Sequence, residues 1–239
     1  MLLKIKQLQH RDASKEILDD LHCEGEAVSQ NLKELDVINS LLGGNAVSIN
    51  ALKKVLNTSS QKNWAIADLG CGSGQLMVEM NKTLLKKNRL GSFTGFDANP
   101  FMVHYAEEHC AEHRNIAVAC FNVITESFKE DYDIVHASLF LHHFTETELV
   151  NLLQKISQHT RKAIIINDLH RHPLAYFSIK MLTSWFSKSY LVKHDAALSV
   201  AKGFKKKEWE AIFRAAGFKH WEMRWVWAFR HQIILKPIA

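Results

Sequence analysis

Asp68-Leu69-Gly70-Cys71-Gly72-Ser73-Gly74 is the stretch that decides the fold, because it places three of the chain's ten glycines within five residues. It follows a short apolar run, 65–69, that is typical of a buried strand, and it precedes an amphipathic stretch from Gln75 to about Asn88 that predicts a helix. Glycine lets the backbone turn sharply and lets a ligand lie against bare main chain. A dinucleotide fingerprint would need glycine at position 75, and a P-loop would need Gly-Lys-Ser/Thr; the sequence has neither. The turn therefore predicts a ligand site that is not a pyrophosphate cradle.

An acidic residue, Asp97, closes the next predicted strand, which begins at Ser92. A carboxylate at this point of an alternating sheet can accept hydrogen bonds from both hydroxyls of a ribose. Asn99 and Pro100, which follow, suit the N-cap and the first position of a helix. A lone aspartate at a strand end is often only a helix cap, but together with the glycine turn it predicts a nucleoside-containing ligand.

Strands and helices alternate through most of the chain, which indicates a parallel sheet with helices on both faces. The fold class that we predict is α/β, a Rossmann-like, doubly wound and mostly parallel sheet, with ligands at the carboxyl ends of the strands. A capping box at Thr145 and Glu148 opens one predicted helix, and another runs over Lys206–Ala216. The further predicted strands are Ile116–Phe121, Tyr132–Ser138, Ala163–Asn167, a strand near Trp221–Val226 and one near Phe229–Leu235.

Two parts of the chain fall outside this alternation. Residues 1–60 predict a helical N-terminal extension, broken at Gly43-Gly44, and residues 61–239 predict the ligand-binding domain. Within that domain, about 169–204 is much longer than the connection that the fold needs, and it is rich in aromatic residues. We interpret this insert as a helical lid over an apolar acceptor, with an additional core helix or an interfacial membrane helix as the alternatives.

Composition limits the class of protein. The 239 residues are 47% hydrophobic and 23% charged, which is ordinary for a globular chain. No window of 18 apolar residues is free of charge, the first residues are too charged for a secretory signal, and four cysteines lack C-x-x-C spacing. These features predict a cytoplasmic protein with reduced thiols. Any contact with a membrane is expected to be peripheral. Residues 170–239 carry 13 lysines and arginines against four acidic residues, which indicates an anionic partner or a solvated face.

The motifs resemble those of the class I S-adenosylmethionine-dependent methyltransferases. The stretch 68–74 resembles their first motif, 95–100 resembles the second, and 132–138 resembles their fourth strand with its acidic lead. The resemblance covers about residues 64–239 and implies a seven-stranded sheet with an antiparallel last strand. The chain departs from the family where Asn122-Val123 replaces the acidic residue that usually touches adenine.

The resemblance implies a cofactor, S-adenosyl-L-methionine, with S-adenosyl-L-homocysteine as product. It implies a wall of glycines under the methionine part, Asp68 at the turn and the amino group, and Asp97 on the ribose. It also implies that Ala98, Asn122 and Val123 flank adenine, and that Ser138 ends the fourth strand beneath the sulfonium. The implied cofactor-binding residues are Asp68, Gly70, Gly72, Gly74, Asp97, Ala98, Asn122, Val123 and Ser138.

The acceptor side points to a small molecule rather than a nucleic acid. The Asn-Pro-Pro-Tyr turn that holds an amino nitrogen in many nucleic-acid methylases is absent after the fourth strand, and so is a Pro-Cys nucleophile. A histidine at the strand edge is a suitable proton acceptor for a phenol. We predict His170 as the base, with His194 and Asp195 as further catalytic candidates. No metal site is expected, since His170 and His172 alternate at i, i+2.

The residues predicted to contact the acceptor are His142, Asp168, Tyr176, Trp185 and Arg230. Phrases at 38–44, 167–171 and 194–200 resemble a bacterial subgroup of these methyltransferases associated with aromatic polyketide or quinone-type metabolism. This resemblance implies methylation of a hydroxyl oxygen or ring carbon of a small hydroxylated aromatic acceptor. The alternatives are an RNA methyltransferase that uses the basic C-terminal third, and a non-catalytic cofactor-binding protein. The sequence does not predict the oligomeric state.

Overall fold

Among residues 8–238, which the computed structural model describes, seven strands form one sheet in the order β3-β2-β1-β4-β5-β7-β6. The first five strands are parallel, and β7 runs antiparallel to both β5 and β6. This confirms the predicted α/β sheet and its antiparallel last strand. The strands are β1 Asn63–Leu69, β2 Leu90–Asp97, β3 Ile116–Cys120, β4 Tyr132–Ser138, β5 Thr160–Leu169, β6 Trp221–Val226 and β7 Arg230–Leu235.

The order of the strands reverses at β1, which lies between β2 and β4. Parallel strands end at the same edge, so the loops after Leu69, Asp97 and Ser138 lie side by side around this reversal point. Open α/β sheets bind their ligands in the crevice that such a reversal creates. The fold thus brings the glycine turn, Asp97 and the loop after β4 to one crevice.

Helices cover both faces of the sheet. Each face has its own apolar core: Leu52, Trp64 and Met80 belong to one, and Leu152, Trp209 and Phe213 belong to the other. The α-helices are α1 Glu26–Leu41, α2 Gly44–Asn57, α3 Gln75–Leu85, α4 Pro100–Cys110, α5 Glu146–Gln158, α6 Pro173–Phe186, α7 Tyr190–Lys202 and α8 Lys206–Ala215.

Most element boundaries agree with the sequence patterns, and the differences have local causes. Helix α3 ends at Leu85 rather than near Asn88, because Asn88 adopts a left-handed φ of 54°. Strand β5 begins at Thr160, earlier than its apolar run predicts, because Thr160 pairs with Tyr132 although the next two side chains are exposed. The predicted capping box is present: Thr145 accepts from the backbone of Glu148, whose side chain accepts from the backbone of Thr145.

The N-terminal segment and the insert pack against each other. The insert forms α6 and α7, and Ala175 and Tyr176 of α6 share an apolar cluster with Leu8 and Val200. Residues 1–7 of the predicted extension lie outside the described residues, and the division at residue 60 stays a prediction. No helix within 8–238 is both long and apolar enough to cross a membrane.

Candidate active site

The glycine turn is built from left-handed backbone. Gly70, Gly72 and Gly74 have φ values of 64°, 52° and 76°, a region that other residues rarely adopt. The amides of Gly70 and Cys71 both donate to the carbonyl of Phe96, at 2.8 and 3.1 Å, which ties the turn to β2. A Cβ on Gly70 would lie 2.3 Å from Cδ2 of Phe140, so only hydrogen fits between the turn and that ring.

Asp97 stands beside this turn at the end of β2. One carboxylate oxygen accepts from the backbone amide of Gly72 at 3.2 Å, and the other accepts from the amide of Asn99 at 3.1 Å. Burial raises the pKa of Asp97 in spite of these bonds. A buried carboxylate that still faces a cavity gains from hydroxyl donors, which the vicinal hydroxyls of a ribose would supply.

One cavity of about 1130 Å³ runs from the glycine turn to the insert. Ligand pockets measure roughly 300–1,000 Å³, so this volume lies just above the range of a pocket for one small molecule. Gly70, Gly72 and Asp97 line one end. The other end is mainly apolar, and it is lined by the N-terminal segment, the loop after β4, the insert and the β6–β7 turn.

A buried polar chain supports the floor between the two ends. Nδ1 of His136 lies 2.6 Å from Asp68, and its Nε2 lies 2.9 Å from the hydroxyl of Ser48. The side-chain amide of Asn167 donates to the hydroxyls of both Ser48 and Ser138 at 3.0 Å. Asp68 and Ser138 do not line the cavity themselves. They support the ends of β1 and β4, and the loops that follow these strands line it.

Asn167 also connects this chain to a buried cation. Nη1 of Arg230 donates to the amide oxygen of Asn167 at 3.4 Å, and Nη2 donates to the side chain of Asn39 at 2.8 Å. Burial lowers the pKa of Arg230 to about 10, against the opposing charge of Asp168. Arg230 lines the cavity, as predicted for an acceptor contact, and it offers a positive group to an anionic substituent.

A histidine–aspartate pair lies in the acceptor end. Nδ1 of His142 is 2.6 Å from Oδ1 of Asp168, whose Oδ2 accepts from the backbone amide of His142 at 3.0 Å. Asp168 is buried behind the ring, and its charge favours the proton on Nδ1. Nε2 of His142 has no hydrogen-bond partner within the described residues, and the residue lines the cavity.

The N-terminal segment brings a second carboxylate to this pair. Oε1 of Glu16 lies 3.6 Å from Nε2 of His142 and 3.3 Å from Nζ of Lys202. Lys202 and His143 also contact Asp19. Arg11 fixes the segment by donating to the backbone carbonyl of His142 at 2.8 Å.

These charges shift the protonation of the cluster. Burial alone would lower the pKa of His142, but the carboxylates of Asp168 and Glu16 outweigh burial and raise it to about 9. Burial would raise the pKa of Glu16, but His142, His143 and Lys202 outweigh it and lower the pKa to about 2. The ring is thus an imidazolium at neutral pH that has to lose a proton before it can act as a base.

A cation could in principle lie among Glu16, His142 and His143, since each offers a ligand atom within 4.8 Å of the others. The ammonium group of Lys202, however, already lies against Glu16 and Asp19. A second positive charge would be repelled there. The arrangement therefore favours a proton-handling cluster over a metal centre.

The predicted residues divide into those that line the cavity and those that do not. Asn122 lines it, but its amide oxygen accepts from the backbone of Ile124 and Thr125, which leaves less of the amide for a ligand. In total, Gly70, Gly72, Asp97, Ala98, Asn122, Val123, His142 and Arg230 line the cavity. Gly74, Asp68, Ser138, Asp168, Tyr176, Trp185, His170, His194 and Asp195 are not part of its wall.

The three residues predicted as catalytic are thus not part of the cavity wall. The ring of His170 packs against His172 and His231, and burial, with the charge of His231, lowers its pKa to about 4. His194 is largely exposed, and Asp195 accepts from the backbone amides that follow Glu16. The placement argues for a structural role of Asp195, namely to hold the segment that carries Glu16.

Sequence reasoning missed Glu16, Asp19, Lys202 and His136. The first two belong to a segment without periodicity, and nothing in its pattern predicts that it crosses the cavity. Only His136 left a signal, because it interrupts an otherwise apolar strand, Ile134-Val135-His136-Ala137.

Comparison with known proteins agrees with this geometry. Residues 66–163 match the family model described as a methyltransferase domain. Malonyl-[acyl-carrier protein] O-methyltransferase of Acetivibrio thermocellus is 31% identical over 86 residues, which are 36% of this chain and 29% of that protein. The match thus spans less than a third of that relative.

Two solved structures share the fold. Human N-acetylserotonin methyltransferase, in complex with S-adenosylmethionine, aligns with a TM-score of 0.64 and 19% identity over 90% of this chain and 56% of its own. The plantazolicin methyltransferase BpumL, in complex with S-adenosylhomocysteine, aligns with a TM-score of 0.65 and 17% identity over 88% and 89%. Residues 66–163 thus match a methyltransferase domain, and the chain shares the fold of these two methyltransferases.

The contact between Gly70 and Phe140 gives a testable consequence. In the variant Gly70→Ala the new Cβ displaces the Phe140 ring toward the cavity, while the positive φ adds strain of about 1–3 kcal/mol. We expect calorimetry to show binding of S-adenosylmethionine that is weaker by about tenfold or more.

The matched control is Gly217→Ala. Gly217 also has a positive φ, 93°, but a Cβ added there would meet Cδ1 of Ile238 at an ordinary contact distance of 3.8 Å. This variant should lose thermal stability and keep its affinity for the cofactor. Equal affinities in both variants would contradict a role of the turn in the ligand wall.

Proposed function

We propose that the protein transfers a methyl group from S-adenosylmethionine to a hydroxyl oxygen of a small hydroxylated aromatic molecule. The observation that carries this proposal is the place of His142: it lines a cavity whose other end is the glycine turn with Asp97, its Nδ1 is held by Asp168, and its Nε2 lies 3.6 Å from Oε1 of Glu16. The acceptor hydroxyl loses a proton as its oxygen forms the new bond to carbon, and a base within reach of that oxygen assists the step.

The residues at the glycine end fit the cofactor. Gly70 and Gly72 offer bare main chain, and Asp97 offers a buried carboxylate to the ribose hydroxyls. Val123 and Ala98 provide apolar walls for an adenine ring. When bound, the cofactor supplies a methyl group on a sulfonium, which is electrophilic without further activation.

His142 takes the base role in this proposal, in place of His170. Asp168 is its positioning residue, because it holds Nδ1 and leaves Nε2 for the acceptor hydroxyl. Any positive charge that enters the same cavity lowers the pKa of His142 by repulsion, which helps the imidazolium to release its proton. Glu16, 3.6 Å from Nε2, can accept a hydrogen bond from the same hydroxyl.

The acceptor end favours a flat, apolar molecule with few polar groups. Its lining includes Phe140, Phe144 and Phe229 together with aliphatic side chains of α1 and α6. Aromatic rings prefer offset or edge contacts with one another, and these three side chains offer them. Human N-acetylserotonin methyltransferase, which shares the fold and is named for a small molecule, supports an acceptor of this size.

The direct test is incubation with S-adenosylmethionine and a panel of phenols and quinols, followed by mass spectrometry. Methyl ethers should form, with S-adenosylhomocysteine in equal amount. Cofactor binding without transfer to any hydroxyl, or methylation on ring carbon alone, would reject the proposed chemistry.

The raised pKa of His142 predicts an alkaline activity profile. Below about 9 the ring of the ligand-free protein is protonated and cannot accept a proton, so kcat/KM, which reports the free enzyme, should rise with pH up to about 9 and then level off. Stability should move in the opposite direction. Because the folded protein raises the pKa of His142 above the ordinary 6.5, the protonated ring stabilises the fold fully below pH 6.5. This contribution is lost as the pH rises through about 9.

The measurement is a pH–rate profile, paired with an NMR titration of the His142 ring in the protein without ligands. The variant Asp168→Asn removes one of the charges that raise the pKa, so its titration should move toward 6.5. A midpoint near 6.5 in the unmodified protein would contradict the charge cluster.

A further inference from the structure

A group of large apolar side chains is exposed on one side of the insert. Trp185 and Phe186, at the end of α6, are 73% and 75% exposed, and Trp227, in the β6–β7 turn, is 68% exposed. Leu174, Met181, Tyr190 and Trp225 are also largely exposed. Groups of exposed large apolar side chains mark interaction sites in globular proteins. We call these seven residues the apolar rim.

Helix α6 explains why the rim is exposed. Its buried side packs Ala175, Tyr176 and Phe177 against α7. The positions Leu174, Met181 and Trp185 follow one another by seven and four residues, so they lie on one face of the helix, and that face is turned to solvent. A surface helix normally places charged or polar residues there, yet α6 contains a single charged residue among its 14.

A ring contact joins the start of the helix to the β6–β7 turn. The ring of Phe229 stacks on His172, the N-cap of α6, at 5.1 Å, and it also contacts the rings of Trp225 and Trp227 at 5.8 and 6.2 Å. The turn and the start of the helix therefore form one surface. Because Met181 and Trp227 also line the cavity, this surface borders the mouth of the acceptor end.

The charged residues of the insert itself, up to residue 194, are all positive. Residues 170–194 contain four lysines and arginines and no acidic residue. Arg171 is buried against Glu208, but Lys180, Lys188 and Lys193 are exposed. Glu34 approaches the loop between α6 and α7, where its carboxylate accepts from backbone amides of that loop and caps it.

We propose that the apolar rim and its three lysines dock the protein on the surface of a membrane that contains anionic lipid. Trp, Tyr and Phe side chains with lysines among them suit the boundary between headgroups and acyl chains. A second copy of the chain fits less well, because an isologous interface would place the same uncompensated lysines opposite one another. The proposal concerns the surface and does not depend on which hydroxyl is methylated.

The experiment is co-sedimentation of the full chain with vesicles made of equal parts phosphatidylcholine and phosphatidylglycerol, without cofactor. The protein should sediment with these vesicles at low salt, less at high salt, and little with vesicles of phosphatidylcholine alone. The double variant Trp185→Ser, Phe186→Ser should lose binding. The matched control Leu85→Ser, Leu90→Ser removes two exposed apolar side chains outside the rim and should bind normally.

Charge reversal tests the electrostatic part. Each lysine near an anionic surface contributes roughly a fivefold factor, so Lys180→Glu with Lys188→Glu should lower the partition constant by about 25-fold or more. Lys129→Glu with Lys162→Glu, two exposed lysines outside the insert, should leave it unchanged.

Three results would overturn the proposal. They are absence of binding to anionic vesicles at low salt, binding that the Trp185 and Phe186 variant retains, and a concentration-dependent dimer that this variant abolishes. The last result would assign the rim to a second copy of the chain. Cofactor affinity, measured in the same preparations, reports separately on the proposed function.

Discussion

Replacing His142 by asparagine should reduce turnover by about 10²–10⁴-fold, the contribution of a positioned general base. Asparagine can still donate to Asp168 from the place of Nδ1, but it has no group at the place of Nε2, the nitrogen beside Glu16 that we propose as the base. Binding of S-adenosylmethionine, measured by calorimetry, should not change, because the ring lies at the acceptor end. The residual activity should also lose its rise with pH toward about 9.

Two histidines outside the cavity wall serve as controls for this variant. His170→Asn and His194→Asn should keep turnover and the pH profile. If His170→Asn lost turnover while His142→Asn kept it, the base would be His170, as the sequence alone suggests. If a variant lost activity only because it unfolded, its thermal stability, measured by circular dichroism, would fall as well.

Asp97→Asn should weaken the binding of S-adenosylmethionine by roughly 10- to 100-fold, since hydrogen bonds to a charged group contribute about 1.5–3 kcal/mol. The same change should alter the stability of the protein without ligand by little, because the loss of one backbone hydrogen bond, which an amide nitrogen cannot accept, is offset by the removal of a charge. Burial raises the pKa of Asp97, so the fold bears a cost for its charge that a neutral amide removes. Calorimetry and thermal unfolding of the variant provide the two readings.

Asp133→Asn is the matched control for that variant. Asp133 is a buried carboxylate at the opposite end of the sheet, where it accepts from the amide of Ala65 at 2.9 Å and from the side chain of Gln61 at 2.8 Å. Its replacement should lower stability and leave cofactor affinity intact. Equal loss of affinity in both variants would mean that Asp97 acts only through the fold.

The cofactor end could be predicted from the sequence because it is encoded locally. The glycine turn and Asp97 both follow apolar strands, and strand ends of a parallel sheet must meet. The fold followed from the same alternation, with errors confined to the ends of elements such as α3 and β5. The two strands of the antiparallel hairpin at the sheet edge, β6 and β7, could also be predicted, because each has a strand pattern in the sequence.

The acceptor end could not be predicted in the same way, because its residues come together only through tertiary packing. Among 14 histidines, the sequence offers no sign that His142 faces a cavity while His170 packs against other rings. Asp168 precedes His170 in the chain, yet its carboxylate turns to His142. Glu16 belongs to a segment whose path depends on Arg11 and Asp195, and no periodic pattern marks such a path.

The path of that segment matters for the substrate specificity of the proposed methyltransferase. Glu16, His142 and Lys202 come from three stretches far apart in the chain, whereas the nucleoside wall is contained in one continuous stretch, 68–123. Substitutions in the N-terminal segment or in α6 and α7 can therefore reshape the acceptor end of the cavity, while the proposed site of the methyl donor stays the same. New substrate specificity would then arise from changes at the acceptor end, with the cofactor end unchanged.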